Sequence, residues 1–340
     1  MMNEPLIKPS GVAADPIKSV IGQKVFARYS LLFVLALALA LALVPILISN
    51  SFYIAVANLV MINAVVAISM TLLLGTTGQL SLGHAGFFAF GAYVSAYLGG
   101  PQGLPTLLAL ALAVLGTAVL GWCVARLFLR LSGYYLAVAT LGIGMMLSIV
   151  LRNEQHLTGG PDGMSVVPLG VLGFSLQGEM VWYFVLLFVL VLATVGSYNL
   201  LRSPAGRALR SLHDAEIAAT SVGVDVRGYK VRVFVLSTAL TGLMGALYAH
   251  YAGFITPASA SFTHSVQFVM MAVIGGIGSV AGAVLGAVIV TLLPNLLAGA
   301  AEYEVLVVGL ILLSTVLLLP RGMVPTLTAW YRGRKGRKAS

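Results

Sequence analysis

Gln79, Ser81 and His84 lie within six residues of one another in the stretch Gly75–Tyr93, which is crowded with glycine and flanked by apolar runs. An amide, a hydroxyl and an imidazole at that spacing suit hydrogen bonding to a passing solute. Backbone so rich in glycine is tolerated at membrane depth only where protein or a water-filled cavity covers its free N–H and C=O groups. Polar side chains in such a setting point to a solute path. Thr140, in the apolar run 134–151, is a fourth candidate for lining that path.

Bond-making chemistry has no comparable support. The chain contains no Gly-x-x-x-x-Gly-Lys-Ser/Thr phosphate loop, so it is not expected to bind or hydrolyse ATP itself. His84, His156, His213, His250 and His264 show no His-Glu-x-x-His spacing, and no Gly-x-Ser-x-Gly elbow occurs. No catalytic residue, metal or cofactor is therefore expected. Nor does any apolar run carry a buried acidic residue for proton or sodium coupling. That disfavours an ion-coupled secondary transporter and leaves room for a permease driven by a separate motor.

Composition fixes the class. Of 340 residues 59% are apolar and 9% charged, with mean hydropathy +1.02. Soluble domains are about a quarter charged, so this is an all-α polytopic membrane protein. The single cysteine, Cys123, excludes an internal disulfide and is expected to pack in an apolar helix. The net charge of +9 reads as basic cytoplasmic loops and attraction to lipid, with no nucleic acid implied. The run Tyr29–Ile48 is long enough to span and reads as a membrane helix rather than a cleavable signal.

On the scale of about 20 apolar residues per span, spans are expected near 29–49, 53–74, 83–99, 106–128, 134–151, 181–201, 233–252, 265–276, 280–298 and 304–319. Residues 265–298 look continuous, but as one helix they would reach about 51 Å against a hydrocarbon core of about 30 Å. Gly275-Gly-Ile-Gly278 offers a break, giving about ten helices, some of them short or broken. Charge supports it. With the break, 18 of the 19 Lys and Arg residues share the cytoplasm with both termini, and only Arg152 lies outside. The resulting organisation is a cytoplasmic tail 1–28, a transmembrane domain 29–320 with an outer loop 152–180 and an inner loop 202–232, and a basic cytoplasmic tail 321–340. Within the outer loop, Thr158-Gly-Gly-Pro-Asp-Gly163 signals a turn rather than a helix.

Two further patterns bear on packing and drive. Gly278, Gly282 and Gly286 form a small-residue ridge at four-residue spacing, suited to close approach of another helix. Glycines 75, 78 and 86 recur at 275, 278 and 286, a suggestive repeat. In the inner loop, Ser203 followed by Pro204 is a helix start, and Leu209, Leu212, Ala215, Ala219 and Val222 mark one apolar face. Gly223 can end that helix in a left-handed conformation. Asp214 and Glu216 put acid beside the small surface of Ala218 and Ala219, while Arg207 and Arg210 add positive charge. Such a helix either docks in a groove of a partner protein or lies on the membrane surface.

Gly78-Gln-Leu-Ser-Leu-Gly-His-Ala-Gly-Phe87, Ser132-Gly-Tyr-Tyr-Leu-Ala-Val-Ala-Thr-Leu141, Leu157-Thr-Gly-Gly-Pro-Asp-Gly163 and Ser203-Pro-Ala-Gly-Arg207 resemble the branched-chain amino acid permeases of bacterial ABC importers, and among them the M-type subunit. The resemblance covers roughly residues 50–320. It implies a type II importer-like permease bundle in the bacterial inner membrane. The partners it implies are an H-type second permease, two ATP-binding subunits and a periplasmic binding protein delivering leucine, isoleucine or valine. It also implies that 202–232 is the ATPase coupling segment, with Arg207, Asp214, Glu216, Ala218, Ala219 and Gly223 at the contact. Glu216-Ile-Ala-Ala-Thr-Ser-Val-Gly223 is similar to the Glu-Ala-Ala loop of ABC importers, but Ile217 replaces an alanine and the glycine follows the glutamate by seven residues rather than six. A permease of the same family for urea, an amide or a short carboxylate is the alternative.

Overall fold

The computed structural model describes residue 45 and residues 50–128, 131, 133–171, 174–214, 220–221, 223, 225–296, 309–310, 313–314, 322–324 and 326. The expected spans 29–49 and 304–319 and both expected tails lie almost wholly outside the described residues. Helix α1 (Ser51–Thr77) starts at Asn50, whose side chain accepts from Phe52 N, and closes at Gly78 in the left-handed region. It is followed by α2 (His84–Gly99), α3 (Thr106–Phe128) and α4 (Tyr134–Asn153). A connecting loop then carries α5 (Gln155–Thr158), a 3-10 turn at Gly160–Asp162 and the two-residue strands β1 (Met164–Ser165), β2 (Gly170–Val171) and β3 (Phe174–Ser175). Then come α6 (Glu179–Arg202), α7 (Pro204–Asp214) and α8 (Val226–Ala252). Strand β4 (Phe254–Ile255), a 3-10 turn at Pro257–Ala260, α9 (Phe262–Gly275) and α10 (Val280–Leu296) complete the order.

Among the described residues, five helices (α1, α3, α4, α6 and α8) are long and apolar enough to cross a membrane, and α9 and α10 are shorter apolar helices. The main departure from expectation is α8, which begins at Val226 rather than 233. Asp225 explains it: its Oδ1 accepts from Gly228 N at 3.0 Å and caps the helix about two basic turns before the apolar part begins. Cys123 lies in α3 and is exposed, on the outer surface of that helix rather than packed inside the bundle.

α1 is the most enclosed of the long helices: 72% of its most apolar stretch is buried, against 28% for α3 and for α4. Val65, Val66, Ala67 and Ile68 are consecutive and fully buried, as required of a helix covered on every side. It contacts α6, α7, α8, α9 and α10. On the other flank, α2 lies against α8, and there the backbones touch. A β-carbon on Gly91 would collide with the backbone of Gly242, and one on Gly245 with that of Phe88. Small residues admit this approach, and lipid gives no hydrophobic push to replace it.

The 152–179 loop is stitched to the end of α8. β1 pairs antiparallel with β4, Met164 opposite Ile255 and Ser165 opposite Phe254. Gly159, Gly160 and Gly163 turn the chain with φ of 76°, 68° and 80°. The expected turn is preceded by the one-turn helix α5, whose Thr158 Oγ1 donates to Leu151 O and Glu154 O at 2.7 Å each.

Gly91→Val should overpack the α2–α8 contact and lower stability by about 1–3 kcal/mol. Gly142→Ala, where an added β-carbon meets open space, should be neutral or stabilising by up to about 1 kcal/mol. Thermal unfolding of the two purified variants checks the contrast.

Candidate translocation site

Two interrupted helices meet inside the bundle. The first interruption, residues 78–83, separates α1 from α2; the second, residues 276–279, separates α9 from α10. Gly78 and Gly278 both take positive φ, 66° and 81°. A β-carbon on Gly75 would collide with Gly278 Cα, so the chains touch backbone to backbone where the breaks face each other. The two halves of the glycine repeat thus contact one another. Gly282 lies against the backbone of Gly275, and Gly286 against that of Met271. Gly282 and Gly286 of the ridge therefore pack on α9, the hairpin partner of α10, while Gly278 meets Gly75 of α1.

The free amides of the breaks are met by side chains from other helices. Leu82 N donates to Thr140 Oγ1 on α4 at 3.1 Å, and Ala85 N donates to Ser265 Oγ on α9 at 3.1 Å. At the second break Ser279 Oγ accepts from Gly282 N at 3.1 Å and caps α10. An unmet amide at this depth would cost several kcal/mol.

His84 is fully buried at the start of α2. Its Nδ1 is 2.9 Å from Ser81 Oγ and its Nε2 is 2.8 Å from Ser237 Oγ on α8. Ser237 donates to Ser69 O on α1 at 3.1 Å. With that proton committed, Ser237 accepts from His84 Nε2–H. The result is a hydrogen-bonded chain from Ser81 through the His84 ring to the α1 backbone. Near the other end of α2, Ser95 Oγ bonds His250 Nε2 at 2.9 Å, and His250 Nδ1 donates to Val167 O at 2.7 Å. A serine–histidine pair thus ties α2 to α8 at each end.

Of the four path candidates, Ser81, His84 and Thr140 spend their polar atoms on protein in this conformation. Gln79 differs. It is 4% exposed, yet its Oε1 has no hydrogen-bond partner. Thr71 Oγ1, two turns earlier along the chain, is buried and equally unpartnered.

The inner segment starts as expected. Ser203 Oγ accepts from Gly206 N at 3.1 Å, and Pro204 opens α7. Arg207 is exposed, and Asp214 ends the helix. Glu216, Ala218 and Ala219 lie outside the described residues. Gly223 is exposed, with φ 83° and open space where a β-carbon would stand. Leu209 points inward, 1% exposed, in an apolar cluster with Leu73 of α1, Phe87 of α2, Leu136 of α4 and Phe234 of α8. Phe87 and Phe234 in turn meet the His84 ring edge-on, centroids 5.9 and 6.1 Å away. α7 is therefore in packing contact with the walls of the first break.

Comparison with known proteins decides the family. A family model described as "Branched-chain amino acid transport system / permease component" matches residues 52–316. The chain belongs to this family. The permease is 33% identical to the high-affinity branched-chain amino acid transport system permease protein LivM of Escherichia coli K12, over 86% of this chain and 75% of that protein. It is 27% identical to the permease protein LivH of the same organism, over 77% of this chain and 90% of LivH. A probable LivM of Methanocaldococcus jannaschii is 24% identical over 64% of this chain and 68% of its own length. No solved structure matches. The permease is thus a multi-pass inner-membrane component of a transport system.

Sequence reasoning missed Ser69, Ser237, Ser265 and His250. Ser237 and Thr241, four residues apart on an apolar helix, were the available signal. His84→Leu should leave Ser81 and Ser237 buried without their partner, lowering stability by about 1–3 kcal/mol. His84→Gln should recover part of the loss in thermal unfolding.

Proposed function

We propose that this permease is the M-type subunit of an ATP-driven importer for leucine, isoleucine and valine, forming the path with an H-type permease. The observation that carries the reading is the 33% identity to the Escherichia coli LivM over 86% of the chain. Two ATP-binding subunits on the inner face and a binding protein on the outer face complete the machine, with both termini cytoplasmic. Urea-type or carboxylate permeases of the same family are distinguished by the solute panel below.

Gln79 is assigned to the path. A buried amide oxygen without a donor costs about 1–3 kcal/mol, and an ammonium group or a water accompanying the solute would supply the missing donor. The two breaks beside it are glycine-rich and uncharged, which suits an apolar amino acid handed over by a protein that has already selected it. Weak contact is enough here, because selectivity resides upstream.

Coupling runs through α7. Closure of the ATP-binding subunits moves Arg207 and the segment to Gly223, and Leu209 carries that motion into the cluster around Leu73, Phe87 and Phe234. A ligand or motor shifts such an equilibrium only through contacts that differ between the two states. The Leu209 contact is the candidate for that difference, because its apolar cluster includes Leu73 before the first break and Phe87 after it.

Two outcomes follow in proteoliposomes holding the complete importer. Leu209→Ala, or Gly223→Leu together with Glu216→Trp, should leave the subunit inserted and ATP hydrolysis running while leucine uptake falls about tenfold, a ~1.4 kcal/mol loss of coupling. Unchanged uptake per ATP would count against coupling through α7. Gln79→Leu should leave folding stability equal or higher yet reduce uptake across a panel of leucine, isoleucine, valine, urea and short carboxylates. Uptake of urea or a carboxylate in preference to leucine would assign a different solute.

A further inference from the structure

Beyond solute transport, a groove of about 860 Å³ opens between the last two turns of α3 and about the first four turns of α8. Its walls include Trp122, Arg126, Arg227, Arg232, Val235 and Leu236. The three arginines converge from two helices on one concavity, and none of them forms an ion pair among the described residues. Arg126 lies over the Trp122 ring at 4.8 Å, and Arg232 over the Tyr229 ring at 5.5 Å, so two of the guanidinium groups are held in place by aromatic faces. The one carboxylate in the lining, Asp225, caps Gly228 N at 3.0 Å, and the groove keeps net positive charge.

Polarity changes along the groove axis. Arg227 and Arg232 sit in the first two turns of α8, while Val235, Leu236 and Ala239 lie up to about 10 Å deeper at 1.5 Å per residue. Trp122, one turn before Arg126 on α3, is 45% exposed in the same lining, and indole side chains are enriched at the membrane–water boundary. Leu236 also borders a second, almost wholly apolar cleft of about 240 Å³, lined by Leu192, Gly196 and Leu240 among others. Leu236 is thus a wall common to the charged concavity and the apolar slot.

We propose that this groove is a site for an anionic diacyl phospholipid. Its phosphodiester is held by Arg126, Arg227 and Arg232, and one acyl chain passes over Leu236 into the cleft beside α6. Charge complementarity selects this occupant: three guanidinium groups above an apolar floor match a phosphate carried on hydrocarbon. Free phosphate would leave the apolar slot empty, and a zwitterionic lipid would bring its own cation against the arginines. Bridging α3 to the start of α8, the lipid braces the end of the bundle that carries α7.

The test uses the full-length protein in its native assembly, reconstituted in nanodiscs of phosphatidylcholine with graded phosphatidylglycerol. Bound lipid is read by native mass spectrometry after detergent washing. Wild type should retain phosphatidylglycerol over phosphatidylcholine. The triple variant R126Q/R227Q/R232Q should bind it about a hundredfold more weakly, and each single Gln variant about fivefold. The triple Lys variant at the same positions should retain binding. If the triple Gln variant fails to insert, the single variants carry the same comparison. Equal retention of the two lipids, or no loss in the Gln variants, would overturn the site. So would efficient photo-crosslinking to a second permease subunit from a benzophenone side chain placed at position 122 and, separately, at position 235, which would make the groove a protein interface.

Discussion

Backbone at membrane depth must find its hydrogen bonds within the protein, and that requirement organises this bundle. Interrupting α1–α2 at residues 78–83 and α9–α10 at residues 276–279 frees amides that continuous helices would have satisfied. Placing the two interruptions against each other, with Gly75 on Gly278, keeps the irregular backbone inside protein. Neighbouring helices then meet the exposed amides, Thr140 from α4 and Ser265 from α9. Five helices, α1, α2, α4, α9 and α10, thereby meet around one point, held by close backbone contact and by bonds that cannot be lost cheaply.

The histidines serve the same constraint. His84 and His250 each have both ring nitrogens engaged, and each pairs with a serine across the α2–α8 contact. In hydrocarbon such a bond has no competing water, though its net worth is modest, about 0.6 kcal/mol on average for interhelical pairs. Its greater effect is on register. With Gly91, Gly242 and Gly245 holding the backbones together, the two pairs set how α2 and α8 can slide past one another.

Much of this was legible from residue order alone. The length of 265–298 and the side on which its basic neighbours must fall pointed to the break at Gly275–Gly278, and Ser203-Pro204 marked the start of α7. The partners of the polar residues were not legible. In a bundle where lipid-facing and protein-facing surfaces are equally apolar, periodicity does not say which face looks inward. Cys123 turned out exposed and Ser237 buried for that reason, and the bond from His84 to Ser237 could not be read from either residue alone. The early start of α8 was hidden by its basic residues, because a helix capped by Asp225 runs on past the end of its apolar stretch.

The pairing of β1 with β4 gives α8 an unusual station. At one end this helix follows directly on the segment begun by α7, and at the other it runs through Gly253 into the strand that grips the 152–179 loop. Its 27 residues make a rod of about 40 Å with no proline to bend it. The segment begun by α7 and the 152–179 loop are therefore held at opposite ends of one continuous helix, with no relay of loops between them.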